Sequence, residues 1–281
     1  MDLLMQKKRE INSLTKFPSF DTYHVMGRKE LTEELTARRF SSTEELIITE
    51  KFDGASARII YLPGGYILIG SRNDLLTCVG DRVWDESYAI VETLMPIALR
   101  VASDVYLEAF ADNIVVLYGE IYGVKNLQKW KNYGDGDPRF RLFDMCQFSP
   151  QRLEDPIEQI ALWRERGEQT WYHERELQEM ALRLELPLTT RLGTVSAADL
   201  PTSIEETRAW LEQYRLTSES DLPDNMYGPA FSEGIVLSDR LRRLRLKLRF
   251  EDYDKVINRR KEEIRLAEKE ARREHARMAN R

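Results

Sequence analysis

Between Leu241 and Phe250 the chain reads Leu-Arg-Arg-Leu-Arg-Leu-Lys-Leu-Arg-Phe. A period of two belongs to a strand, because successive side chains leave a pleated backbone on opposite faces. Leu244, Leu246, Leu248 and Phe250 therefore share one face, and Arg243, Arg245, Lys247 and Arg249 share the other. A helix would scatter both sets around its axis. The chain must accordingly build a sheet with an apolar face and a row of cations opposite it. Such a row is either a solvated edge that discourages aggregation or a surface that meets an anion.

The 281 residues, 42% of them hydrophobic, are enough to bury a proper core in one large domain or slightly more. The net charge of -6 means that any contact with nucleic acid comes from a local basic face and not from overall attraction. Cys78 and Cys146 are too few and too far apart for a disulfide framework or a zinc site. They suit a reducing compartment, and with no apolar run long enough to cross a bilayer a cytoplasmic protein is expected.

A second feature is Glu50-Lys51-Phe52-Asp53-Gly54, set between Ile47-Ile48-Thr49 and Ala57-Arg58-Ile59-Ile60-Tyr61. Both flanks favour strands, so the motif is expected to cap a strand that turns and returns. A lysine held there can serve as a nucleophile when burial or a neighbouring cation strips its proton. The plainer alternative is an ion pair between Lys51 and Asp53. Pro63-Gly64-Gly65 then predicts a hairpin whose second strand ends at Arg72, a forked cation suited to phosphate or ribose oxygens.

Elsewhere the pattern predicts a short N-terminal helix, a loop around Pro18 and a structural His24, and a second helix near Lys29–Arg38. It also predicts a helix from Asp81 to Ala111, carrying Trp84, Tyr88, Val91, Leu94 and Met95 and interrupted by Pro96. Ile114 to Gly123 is an apolar strand with a lone carboxylate, Glu120, which needs a donor, a cation or a ligand hydroxyl. The strand Phe140–Met145 offers aromatics that serve either the core or a stacked base. Residues 150–227 turn helical, with Thr202 or Ser203 and Glu206 marking a capped start. Strand character returns at Phe231–Leu237, again with one carboxylate, Glu233, and the tail from Glu251 reads as a solvated, charged helix.

Lys-x-Asp-Gly, then arginine, glutamate, aromatic-Asp, Glu-Gly and a cationic strand form an ordered series. From about Glu50 to Phe250 it resembles the covalent nucleotidyltransferase superfamily of ATP-dependent polynucleotide ligases and mRNA capping enzymes, above all the RNA ligase branch. The resemblance implies an α+β fold of antiparallel sheets flanked by helices. It implies a nucleotidyltransferase domain over residues 1–250 with a helical insertion at about 151–227, followed by a charged helix over 251–281. It also implies an enzyme that uses ATP and Mg²⁺ or Mn²⁺ to join 5′-phosphate and 3′-hydroxyl ends of RNA through a lysyl-AMP intermediate, as in RNA repair.

By the same resemblance Lys51 is the nucleophile, Asp53 and Gly54 are its motif companions, and Glu50 meets the adenine through its backbone. Arg72 contacts ribose or the incoming 5′-phosphate, Glu120 lies near the ribose hydroxyls, and Phe143 and Val236 flank the base. Glu233 helps hold the metal. Simple alternation puts Glu233 and Val236 on opposite faces, so this pairing requires a bulge. Lys247 with Arg245 or Arg249 supplies cations for the triphosphate, where the family usually has two lysines one residue apart. No OB-type barrel is expected after Phe250, which favours a compact RNA ligase over a capping enzyme or an ordinary DNA ligase. The alternatives are a DNA or mixed-strand ligase of the superfamily and an inactive nucleic-acid-binding relative.

Overall fold

The structure, a computed structural model, describes residues 6–36, 40–41, 43–78, 81–82, 88–103, 112–127, 129–134, 136–218 and 229–279. Two antiparallel sheets dominate it. The first holds β3 (Glu45–Lys51), β11 (Arg191–Ser196), β12 (Gly234–Ser238) and β13 (Arg245–Arg249) in the order β11-β3-β12-β13. The second holds β4 (Ala55–Leu62), β5 (Tyr66–Ser71), β8 (Ile114–Tyr122), β9 (Arg139–Phe148) and β10 (Thr170–Trp171) in the order β10-β9-β8-β4-β5. Two small ribbons complete the strands: β1 (His24–Met26) with β2 (Leu31–Leu35), and β6 (Thr77–Cys78) with β7 (Asp81–Arg82).

The five-stranded sheet is apolar on both faces. Ile59, Leu117 and Met145 point towards α2 (Ile90–Ala102) and α4 (Glu174–Arg183), whereas Ile60, Val116 and Cys146 point towards α1 (Lys8–Thr15) and α3 (Ile157–Glu165). Burial on both faces explains why these strands read as continuous apolar runs. The four-stranded sheet packs one face on α5 (Ile204–Leu211) and on the start of α6 (Phe250–Ala279). Leu246 and Leu248 are buried there, and Lys247 and Arg249 on the opposite face are half-exposed, as the alternation requires.

The motif does not turn and return. β3 pairs with β11 and β12, and β4 pairs with β5 and β8, so Phe52-Asp53-Gly54 carries the chain from one sheet to the other. The expected hairpin is present as β4–β5, with Gly64 and Gly65 at positive φ in its turn.

The expected helix near Lys29 is instead the ribbon β1–β2. Leu31 and Leu35 are four apart, which is an even spacing as well as a helical one, and both pack on the α5–α6 cluster. Residues 37–39, including Arg38, lie outside the described residues. Helix α2 covers only part of the span expected from Asp81 to Ala111, and Trp84 lies outside the described residues. Pro96 sits inside α2 without ending it. Among the described residues, 151–218 hold three α-helices and short 3-10 turns but also β10 and β11, which pair at the edges of the two sheets. No helix among the described residues is long and apolar enough to cross a membrane.

Candidate active site

Lys51 is the last residue of β3 and stands opposite Gly234 on β12. Its ammonium meets Glu233 Oε2 at 2.5 Å, and both side chains are largely buried. Asp53 instead pairs with Lys129 at 2.9 Å and its backbone N–H donates to the Tyr133 hydroxyl at 2.8 Å. Burial opposes the Lys129 charge, but Asp53 outweighs it and holds that ammonium above its ordinary range. The surface pair of Lys51 with Asp53 is therefore not what forms. Phe52 anchors the crossing by packing on Tyr122 and Tyr133, with ring centroids at 4.8 and 5.6 Å.

Gly54 is required by contact. A Cβ on it would lie 2.2 Å from the Ile121 carbonyl oxygen and 2.8 Å from Glu120 Cγ. Only hydrogen lets the crossing lie flat on β8 beside Glu120. Gly234 is the same case: a Cβ there would meet the Leu248 carbonyl oxygen at 2.0 Å.

Glu120 faces the cleft from β8 and makes no hydrogen bond or ion pair among the described residues. Burial pushes its carboxyl up to about 8; Lys51 opposes the shift and the charges of Glu233 and Asp53 add to it. Glu233 and Val236 both line the same cavity. No bulge is needed, because β12 begins at Gly234 and Glu233 precedes it, outside the rule of alternation.

The three candidate cations of β13 are not equivalent. Arg245 is fully engaged: it pairs with Asp144 at 2.7 Å and stacks over Trp171, its guanidinium carbon 4.3 Å from the ring centroid. Arg249 chelates Asp252 at 2.8 and 2.9 Å and lies 3.9 Å from Glu233. Lys247 has no carboxylate partner among the described residues, and its ammonium sits 5.3 Å from the Phe20 ring centroid. Burial first, then Arg249, Lys51 and Arg72, lower its pKa. Lys247 is thus the cation most open to an anion, with Arg249 beside it.

Asp144 is the hub of a buried network. Arg242 Nε donates to it at 2.7 Å and Arg242 Nη1 to Glu174 at 2.5 Å, while Arg191 holds the other oxygen of Glu174 at 2.8 Å. Burial would raise the Asp144 carboxyl, but Arg242 and Arg245 hold it below the ordinary range. These bonds tie β9 of one sheet to the β12–β13 turn of the other.

The base-flanking candidates also converge. Phe143 packs edge-on against Phe17 at 5.0 Å, and it lines the cavity with Val236 and Phe20. Glu50 lines the cavity too, but its side chain is buried and accepts from Thr217, from the Ser218 hydroxyl and from the Ser218 N–H at 3.1 Å. Its own N–H donates to the Thr190 carbonyl at 2.9 Å. Arg72 follows β5, and its carbonyl and that of Ser71 accept from the buried Arg58 guanidinium at 3.2 and 2.7 Å.

A cavity of about 520 Å³ brings together Glu50, Lys51, Asp53, Gly54, Arg72, Glu120, Phe143, Glu233, Val236, Arg245, Lys247 and Arg249. These are the twelve residues to which the resemblance gives a role; Arg243 of the cationic row does not line the cavity. A second opening of about 560 Å³, against Trp171, Tyr172 and Met180, has no lysine among its described lining residues and so offers no amine nucleophile there. Residues not anticipated are Lys129, Arg242 and the wall Phe17-Pro18-Ser19-Phe20, and the aromatic-Asp element carried no role for Asp144. Two aromatics around a proline were the available signal for that wall. Among the described residues no group of three or more His, Cys, Asp or Glu side chains is placed to hold a metal ion.

A family model described as RNA ligase matches residues 44–250. Among solved structures, Naegleria gruberi RNA ligase with PPi aligns at 14% identity and a TM-score of 0.50, covering 85% of this chain and 61% of that one. A mutant of the same ligase with ATP and Mn aligns at 14% identity and a TM-score of 0.50, covering 84% and 61%. The chain spans between about half and three fifths of the length of the ligase structures it matches. A search of the curated proteins found no significant match.

Proposed function

The chain belongs to the RNA ligase family, and from that premise we propose that it joins 5′-phosphate and 3′-hydroxyl ends of RNA at the expense of ATP, acting in RNA repair in the cytoplasm. The observation that carries this reading is the single cavity in which Lys51 meets Glu233 while Glu120, Arg72, Phe143 and Lys247 face the same space. Residues 1–250 would form the nucleotidyltransferase domain, with 151–227 inserted in it and 251–281 as an appended helix.

In this reading Lys51 Nζ bonds to the α-phosphorus of ATP as the bond to pyrophosphate breaks. The amine must first lose its proton, and the Glu233 carboxylate at 2.5 Å is the nearest acceptor. The RNA 5′-phosphate then takes the AMP, the nitrogen–phosphorus bond breaks, and Lys51 is restored. The 3′-hydroxyl finally attacks the adenylylated 5′-phosphorus, and AMP leaves.

Phe143 and Val236 would flank the base, Glu120 would meet the ribose hydroxyls, and Arg72, Lys247 and Arg249 would balance phosphate charge. A divalent cation, Mg²⁺ or Mn²⁺, would be held by Glu233 and phosphate oxygens and would supply charge neutralisation. Such a cation keeps waters and phosphate oxygens as most of its ligands, so a single protein carboxylate is enough to place it.

Incubation with α-labelled ATP and a divalent cation tests the reading. The wild type is expected to retain label through denaturing electrophoresis, and Lys51→Ala to lose it. Undiminished label in that variant would remove Lys51 from the role. Matched RNA and DNA substrates, nicked and single-stranded, then test the RNA preference, which equal sealing of DNA would contradict.

A further inference from the structure

Helix α6 changes character along its length. Its first two turns are a packed element: Tyr253 and Val256 are buried, and His24 Nδ1 bonds the Tyr253 hydroxyl at 2.9 Å. Arg259 pairs with Glu30 at 2.7 Å, and Arg260 with Glu33 at 2.6 Å and Glu205 at 2.5 Å. From Lys261 to Met278 every residue is exposed, a length of about 27 Å of helix at 1.5 Å per residue.

This exposed part opposes the rest of the chain in charge. Residues 258–281 hold nine lysines and arginines against five glutamates, a net +4, which leaves -10 on residues 1–257 of a chain whose total is -6. The cations are also sorted. At 100° per residue Lys261, Arg265, Lys269, Arg272 and Arg273 fall within one arc of about 120°. Between Lys261 and Arg273, Glu262 is the single carboxylate inside that arc, and Arg265 holds it at 2.7 Å. Lys261, Lys269, Arg272 and Arg273 have no ion pair among the described residues. Glu268 borders the arc beside Lys261, and Glu263, Glu270 and Glu274 fall on the other side.

The helix is rooted at the cleft. Phe250 follows Arg249, which lines the cavity and is bound to Asp252 and Glu251 in the first turn of α6. At 100° per residue Glu251 falls inside the same arc, so the basic face lies on the side of α6 that holds the cavity-lining Arg249, while the acidic body repels a polyanion elsewhere. Outside the arc the apolar groups are Ile264, Leu266, two alanines and Met278, interleaved with glutamates, too little to seat the helix in a lipid surface.

We propose that the basic face of α6 from Lys261 to Arg273 is a docking surface for the phosphate backbone of the RNA whose end enters the cleft. This rests on the RNA ligase reading. The contact is sequence-independent and salt-sensitive, because each cation that meets a phosphate displaces a condensed counterion.

The test uses the full chain with Lys261, Lys269, Arg272 and Arg273 all changed to Gln, and binding of a labelled RNA over a range of salt. The RNA Kd is expected to rise on the order of tenfold or more at about 0.1 M salt, and the slope of log K against log salt to fall by about 3. Lys261→Arg with Lys269→Arg is expected to keep both. Labelling with ATP, read alongside, reports on the cleft. A wild type that takes no label defeats the ligase reading, whereas a labelled, RNA-binding protein whose Kd and slope ignore the four changes defeats the docking surface alone. A wild-type dimer that Ile264→Glu splits, with RNA affinity untouched by the four changes, would assign the helix to a second copy and overturn the proposal as well.

Discussion

Glu120 shows what a single carboxyl gains from its surroundings. Its acid group is raised to about 8, chiefly by burial, so between about 4.5 and 8 the folded chain keeps a proton that the unfolded chain gives up. Its contribution to stability is therefore complete below the unfolded value and is lost as the pH rises through this window. Thermal melts from pH 5 to 9 are expected to show a part of the wild-type decline that Glu120→Gln lacks; parallel curves would mean that the carboxyl is not shielded. Arg58 is the opposite case, a buried guanidinium with no carboxylate partner among the described residues. It grips the Ser71 and Arg72 carbonyls and the Asn12 side chain, at 2.5 Å from the latter. Burial lowers its pKa to about 10, which leaves it charged at neutral pH. If it acts by positioning Arg72, a double-mutant cycle shows it: Arg58→Met reduces sealing several-fold in the wild type and far less in an Arg72→Ala background. Equal losses in both backgrounds would make Arg58 merely structural.

At the scale of elements, the crossing from β3 to β4 decides the site, because it hands the chain from one sheet to the other within three residues. Gly54→Ala drives a methyl into the Ile121 carbonyl and Glu120. It is expected to cost about 1–3 kcal/mol and to abolish labelling by ATP, measured by denaturant melts and the label assay; full labelling would show that the crossing can shift without loss. The lysine, the glycine and the cationic strand were legible in the sequence because each depends on local pattern. The partner of Lys51 was not. Asp53 is two residues away and Glu233 is 182 away, and only the pairing of β3 with β12 brings the latter within 2.5 Å. The second N-terminal helix failed for a related reason: Leu31 and Leu35 satisfy both periods, and packing against the α5–α6 cluster chose the strand. Arg245 was equally hidden, since alternation gives the face of a side chain but not whether Asp144 already holds it.

For the whole molecule, the cleft exists because two sheets are held at one separation, and the Asp144–Arg242–Glu174 network is the visible brace. Arg242→Met leaves Asp144 with Arg245 and Glu174 with Arg191 as their remaining cations and breaks the link between them, and is expected to cost about 3–5 kcal/mol. Denaturant melts should show this, and ATP labelling should weaken with it; a loss under about 1 kcal/mol would mean that the apolar cores alone set the spacing. The order of motifs along the chain foretold that six segments would meet, though not the acidic and basic residues that keep the sheets in place. The most direct test of the account is to map the labelled residue. After reaction with ATP, proteolysis and tandem mass spectrometry are predicted to find AMP on the Lys51 side chain and on no other residue. Adenylate on a different lysine, or on Lys51 and several surface lysines alike, would contradict it.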